Sequence, residues 1–315
     1  MTRSHDAPTP GGGEFTGPLR GTGLPLEKSI LAALDDVERA LQLEPVGDGT
    51  FRAASEPDRF GHIFGGQLLG QAVLAASRTV EGQQPNSLHA YFVRSGQTEV
   101  PVDIVVERTR DGRSLSTRHV EVRQDGAAVL TAVASFHTNP EAPQTPAVRP
   151  AGPPPEELPL LQHWAQQAPP ELQTFAQTWI DVPPPLELRM AEAPTFLGGA
   201  QAAGTRGHWM RLPRDIGDNP ALHHALLTYA SDYLFVDMAF RVHPDAVNYA
   251  TAAGLSLDHA IWLHRPAQFD QWHLYVQEAV TIFGHRALVR GTIVDTAGAV
   301  VASTAQEVLI RPLRP

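Results

Sequence analysis

The sequence predicts an α+β protein made of two fused copies of one module, each a buried helix followed by an antiparallel meander. Three observations carry this. Gly112 and Gly284, and likewise Gly126 and Gly298, stand 172 residues apart, so the turns and the strand between them have equal length in the two halves. Each half places a proline-free apolar run ahead of four β-rich segments separated by turn signals. Between Asn139 and Pro159 lie eight prolines, a composition that cannot donate ladder hydrogen bonds and reads as a semi-rigid connector.

The 315 residues therefore divide into a disordered leader (1–25), an N-terminal module (26–138), a Pro-rich linker (139–180) and a C-terminal module (181–315). In chain order, Ile30, Leu31, Leu34, Val37 and Leu41 recur at helical spacing and predict an amphipathic helix between Leu26 and Leu43. A short strand at 50–55 is broken by Glu56-Pro57-Asp58. Gly65-Gly66 opens a helix from Gln67 to Val80 whose small and apolar residues predict burial nearly all round. Strands at 87–95, 101–110, 114–124 and 127–137 follow, joined by Asp-Gly turns that favour hairpins. The second half repeats the layout: strands near 183–191 and 207–213, a helix from Pro220 to Phe240, and strands at 254–264, 272–283, 285–295 and 299–310.

Charge and composition exclude several classes. A formal charge of −10 and a pI near 5.7 argue against non-specific nucleic-acid binding, which needs a basic face. An anionic ligand must be met by a local cluster of arginines. Without cysteine there is no disulfide, thiol nucleophile or thiolate metal site. No apolar stretch approaches the ~20 residues that span a bilayer. The leader lacks a secretory-type apolar segment and the last five residues do not form a Ser-Lys-Leu address, so a cytoplasmic location is expected. Further self-association is left open.

A few polar residues need explaining. Asp232 lies beside the apolar stripe Leu222, Leu226, Tyr229, Tyr233, Val236 and Phe240, where a carboxylate is partly desolvated. It is either a structural or capping Asp, or a functional carboxylate. Along the last strand, period two places Gln306 on the apolar face with Val300, Ala302, Thr304 and Val308. The matching residue of the first half is Ala134. A position that accepts Ala in one copy has little packing need for Gln, although a buried Gln can also satisfy a stray backbone group. Ser256 opens strand 254–264 and either points toward the helix or serves as a turn hydroxyl. His259 has a counterpart in His89, which favours a structural role for both.

Other chemistries find little support. Gly254-Leu255-Ser256-Leu257-Asp258 fails the G-x-S-x-G elbow at its last position. There is no H-E-x-x-H, and the adjacent His223 and His224 cannot share one helical face as metal ligands. No Walker motif or G-x-G-x-x-G follows a strand, and neither a metal nor a cofactor is expected.

Several segments, in order, carry a family resemblance: Phe64-Gly65-Gly66-Gln67 with Gly70-Gln71-Ala72, His89-Ala90-Tyr91-Phe92, and Tyr229-Ala230-Ser231-Asp232-Tyr233. They continue with Leu257-Asp258-His259, Trp262, His264-Arg265-Pro266 and Ala302-Ser303-Thr304-Ala305-Gln306-Glu307. Over roughly residues 28–312 the chain resembles the type II acyl-CoA thioesterases. The resemblance implies a double hotdog fold, in which each half wraps an antiparallel sheet around one long helix and the sheets join edge to edge. It also implies hydrolysis of acyl-CoA to free acid and coenzyme A, a step of fatty acid and lipid metabolism, with Asp232, Ser256 and Gln306 as the catalytic set. With no cysteine, attack by an activated water is the economical mechanism. Gly65 and Gly66 either let a ligand approach the backbone or serve tight helix packing. Arg94 and Arg265, at matching strand ends, are the candidate ligands for the coenzyme A phosphates. Two alternatives are a non-catalytic acyl-CoA-binding protein and a hotdog-type enoyl-CoA hydratase. The latter pairs an Asp with a His, and the histidine found beyond Asp232 is His243.

Overall fold

The computed structural model describes residues 25–147, 152–245 and 247–313. The expected leader, apart from Pro25, and connector residues 148–151 lie outside them. The first half opens with helix α1 (Pro25–Ala40) and a short hairpin, β1 (Glu44–Gly47) and β2 (Thr50–Ala53). Helix α2 (Gly65–Ser77) follows, and every residue from Gly66 to Ala76 is buried, as its composition predicts. Strands β3 (Gln84–Phe92), β4 (Val102–Asp111), β5 (Leu115–Gln124) and β6 (Ala127–His137) complete the module. Asp125 and Gly126 both take positive φ, 49° and 77°, which closes the β5–β6 hairpin with the twist that two-residue turns require.

Part of the 139–180 stretch is folded. Helices α3 (Leu161–Gln166) and α4 (Gln173–Asp181) lie there, with 3₁₀ turns at Pro155–Glu157 and Pro170–Leu172. Leu161, Ala165, Ala176 and Trp179 bury their side chains in the core. Arg189 Nη1 donates to the Leu158 carbonyl at 2.9 Å, fastening this stretch to the second half.

The second half contains β7 (Glu187–Arg189), β8 (Arg206–Arg211), α5 (Pro220–Ala230), α6 (Phe235–Arg241), β9 (Ala252–Ser256), β10 (Asp258–Leu263), β11 (His273–Phe283), β12 (Arg286–Asp295) and β13 (Val300–Pro312). One sheet runs through both halves in the order β1-β2-β4-β5-β6-β3-β10-β13-β12-β11-β8-β7, with β9 also on β13. Its centre is the antiparallel pair β3–β10, where Ala90 faces His259 and Leu88 faces Ile261. The two modules thus share one continuous sheet, the double hotdog arrangement expected. Helices α2 and α5 meet through glycine: a Cβ on Gly66 would stand 2.2 Å from the Tyr229 carbonyl oxygen, and one on Gly70 would stand 2.9 Å from that of Ala225. Among the described residues no helix is long and apolar enough to cross a membrane.

Two expected elements are interrupted, and both interruptions have physical causes. The helix expected from Pro220 to Phe240 breaks at Ser231–Leu234. Tyr275 on β11 donates its hydroxyl to the Ser231 carbonyl and Gln277 Nε2 donates to the Tyr233 carbonyl, each at 2.8 Å. Those carbonyls are thereby taken from the helical ladder, and Leu234 turns the chain at φ 68°. The strand expected at 254–264 carries a bulge. Ser256 pairs with Val308 and Ala260 with Ala305, so Leu257, Asp258 and His259 oppose only Gln306 and Glu307. The Glu307 amide, which a regular ladder would give to a carbonyl, donates to Asp258 Oδ1 at 2.7 Å.

Candidate active site

The bulge decides which residues face inward. Strict alternation puts Ser256 and His259 on opposite faces of one strand. One extra residue brings both to the buried side of β13, where Gln306 lies between them. Gln306 is fully buried; its Nε2 donates to Ser256 Oγ at 2.7 Å, and its Oε1 is 2.6 Å from His259 Nδ1. His259 Nε2 is in turn 2.9 Å from Ser231 Oγ, and burial holds the imidazole pKa down to about 4.

Asp232 enters from the helix break. Its residue is 8% exposed and its Oδ1 is buried with no hydrogen-bond partner among the described residues. Burial pushes the carboxyl up to about 6, against the opposing pull of the Gly66 amide and the Gln306 side chain. The Gly66 amide belongs to the first turn of α2, whose free N–H groups make a site for negative charge. Asp232 is thus held between the start of one central helix and the end of the other.

Its neighbours Tyr229, on α5, and Tyr233, in the break, anchor it across the module boundary. Tyr229 donates its hydroxyl to the buried Glu56 carboxylate at 3.0 Å. Arg59 donates to the Tyr233 hydroxyl at 2.8 Å and to the Val182 and Pro183 carbonyls at 2.8 and 2.9 Å. Burial raises the Glu56 pKa, and the Arg59 charge and the Tyr229 hydroxyl draw it back. The network joins the loop before α2, the Val182–Pro183 segment, α5 and the break that follows it.

Asp232, Ser256 and Gly65 line a cavity of about 660 Å³ whose other walls are largely apolar, with Phe92, Phe175, Trp179, Phe196 and Tyr249 among aliphatic residues. Phe175 and Trp179 come from α4, so the folded connector supplies one wall. The two glycines divide their tasks. A Cβ on Gly65 would stand 2.7 Å from Asp232 Oδ2, whereas Gly66 is the close helix contact described above. Of the two candidate arginines, Arg94 is exposed at the cavity lining. Arg265 does not line it: its guanidinium donates to the Val300 carbonyl at 2.5 Å and to Gln144 Oε1 and the Thr145 carbonyl at 3.3 Å.

Sequence reasoning paired His259 with His89, and the structure corrects this. His89 is exposed on the outer face, edge-on to Trp262 with ring centroids 5.0 Å apart. In the first half the residue paired with Ala134 is Leu88. The first module therefore holds Leu88 beside Ala134 where the second holds His259 beside Gln306. Comparing β3 with β10, as β6 was compared with β13, carries that signal.

Fold and cavity together define the class of double hotdog proteins with a buried carboxylate facing a largely apolar cavity. Residues 54–137 match the acyl-CoA thioesterase N-terminal domain, and residues 155–310 match the acyl-CoA thioesterase C-terminal domain. The chain is 34% identical over 287 residues to acyl-coenzyme A thioesterase 8 of Rattus norvegicus, covering 87% of this chain and 88% of that protein. It is 30% identical over 284 residues to acyl-CoA thioesterase 2 of Haemophilus influenzae, covering 88% and 98%. Among solved structures, the acyl-CoA thioesterase II TesB2 of Mycobacterium marinum superposes with a TM-score of 0.70 at 32% identity, covering 88% of this chain and 98% of that one. The tesB protein of Mycobacterium avium subs paratuberculosis gives 0.71 at 29% identity, covering 89% and 100%. The chain belongs to the type II acyl-CoA thioesterase family.

Proposed function

We propose that this protein hydrolyses acyl-CoA thioesters to free carboxylic acid and coenzyme A through a water activated by Asp232 and positioned by Ser256 and Gln306. The observation that carries the reading is the Asp232 Oδ1 atom, buried and without a partner among the described residues, in the wall of a cavity that Ser256 also lines. A buried oxygen without a protein partner is satisfied by water. Water bound there meets a base in a cavity that Ser256 also lines.

The chemistry follows from these groups. Asp232 takes a proton from the water as its oxygen attacks the thioester carbonyl carbon. A pKa near 6 leaves the carboxylate ionised at neutral pH yet basic enough to accept that proton. General-base catalysis of this kind supplies on the order of 10²–10⁴-fold. The oxyanion of the tetrahedral intermediate finds a donor in the backbone at the very start of α2, where Gly65 presents no side chain. Collapse breaks the C–S bond, and the proton held by Asp232 passes to the departing thiolate. The acyl chain occupies the apolar cavity, and Arg94 at its lining meets the coenzyme A phosphates.

The hydratase alternative requires a histidine beside the carboxylate. His243 instead accepts from the Asp245 amide at 3.1 Å in its own turn, and His259 is turned to Ser231 and Gln306. Incubation with a panel of saturated and 2-enoyl acyl-CoAs and a thiol reagent tests the reading. Free coenzyme A should appear in proportion to protein. A hydrated acyl chain, or binding without turnover, contradicts it.

A further inference from the structure

We infer that His259 is the positioning residue of the site: it fixes which end of the Gln306 carboxamide faces Ser256. The inference rests on the reading of Gln306 as a water-positioning group. A glutamine side chain has two ends of nearly equal shape and opposite hydrogen-bond character. With Nε2 toward Ser256, the serine oxygen accepts, and its own hydrogen stays free for the water or for Asp232. With Oε1 there, the serine hydrogen is consumed inside the wall.

The second end of the amide settles the choice. Oε1 stands 2.6 Å from His259 Nδ1, a separation at which the ring nitrogen must carry the hydrogen, since two acceptors repel each other. The ring is 1% exposed, and its burial favours the neutral form, which has a single N–H. Nε2 is then an acceptor, 2.9 Å from the Ser231 hydroxyl. The hydroxyl hydrogen has a competing acceptor, the Thr228 carbonyl 2.7 Å away. The donors thus run in one direction, from His259 to Gln306, to Ser256, and out into the cavity. Asp258 and the half-buried Glu307 lie on the other face of these strands; among the described residues, Ser231, Gln306 and the Phe235 ring, whose centroid is 5.7 Å away, meet the imidazole.

The first module shows the arrangement without this device. Leu88 pairs there with Ala134, both fully buried, so the fold accommodates an apolar pair at the corresponding place and the polar pair belongs to the site.

Two measurements test the inference. In ¹⁵N-labelled wild-type protein, the signal absent from the His259→Leu spectrum should report Nδ1–H; an Nε2–H tautomer overturns the proposal and needs no folded variant beyond that used for assignment. In a double-mutant cycle, His259→Leu should lower kcat by roughly 10- to 100-fold, the size found for partners that orient a reactive group, with KM within about twofold. Added to Gln306→Ala, it should change kcat little further, because the residue it orients is gone. A His259→Leu variant with wild-type kcat, or losses that multiply, overturns the inference. Full activity in Gln306→Ala instead overturns the reading on which it rests.

Discussion

Ser256 is the cross-strand partner of Val308, on the face of β13 that carries Gln306, and its hydroxyl lies 2.7 Å from Gln306 Nε2. The extra residue between Ser256 and Ala260 brings His259 to that same face, so the amide is held from both ends. Ser256→Ala should therefore lower kcat, on the order of 100-fold for loss of one oriented hydroxyl, with little change in thermal stability. Ser256→Thr keeps the hydroxyl and should retain most activity. Steady-state kinetics on both variants checks this.

The raised pKa of Asp232 predicts a pH profile. The base acts when ionised, so log kcat/KM should rise with unit slope below about pH 6 and level off above it. An ascending limb centred below pH 5 would place the base elsewhere.

The same shift predicts a stability trade-off. The folded-state pKa, about 6, lies above the unfolded value near 3.8, so the folded protein binds more protons between these values. Stability from this group is full below pH ~4 and lost as pH rises through 6, by up to about 3 kcal/mol. Asp232→Asn should thus raise the urea midpoint at pH 8 and leave it nearly unchanged at pH 4. His259, held neutral, acts in the opposite sense over pH 4–6.5, but it is common to both proteins and cancels in the difference.

The paired glycines should separate activity from stability. Gly66→Ala drives a methyl into the Tyr229 carbonyl and should cost about 1–3 kcal/mol, read as a lower melting temperature. Gly65→Ala meets the Asp232 carboxylate and Phe92 and should cut kcat further than it cuts stability.

Much of this was legible in the sequence. The buried helix α2 and strands β3–β6 and β11–β13 follow from composition, alternation and glycine turns, which act locally. Asp232 and Gln306 stood out as polar groups at apolar positions. What the sequence hid is set by distant partners. No Gly or Pro marks the helix break at Ser231–Leu234, because Tyr275 and Gln277 from β11 cause it. The bulge is hidden because Asp258 supplies a side-chain acceptor in place of a backbone one. With the bulge unseen, simple alternation separated Ser256 from His259, and His89 looked like a counterpart that it is not.

The central claim is that the Asp232 carboxylate activates the hydrolytic water. Its most direct test is the kcat of Asp232→Asn, followed by coenzyme A release from a substrate acyl-CoA under saturation, with folding verified by circular dichroism. The account predicts a loss on the order of 10²–10⁴-fold with KM little changed. A folded Asp232→Asn protein turning over within a few-fold of wild type would contradict it.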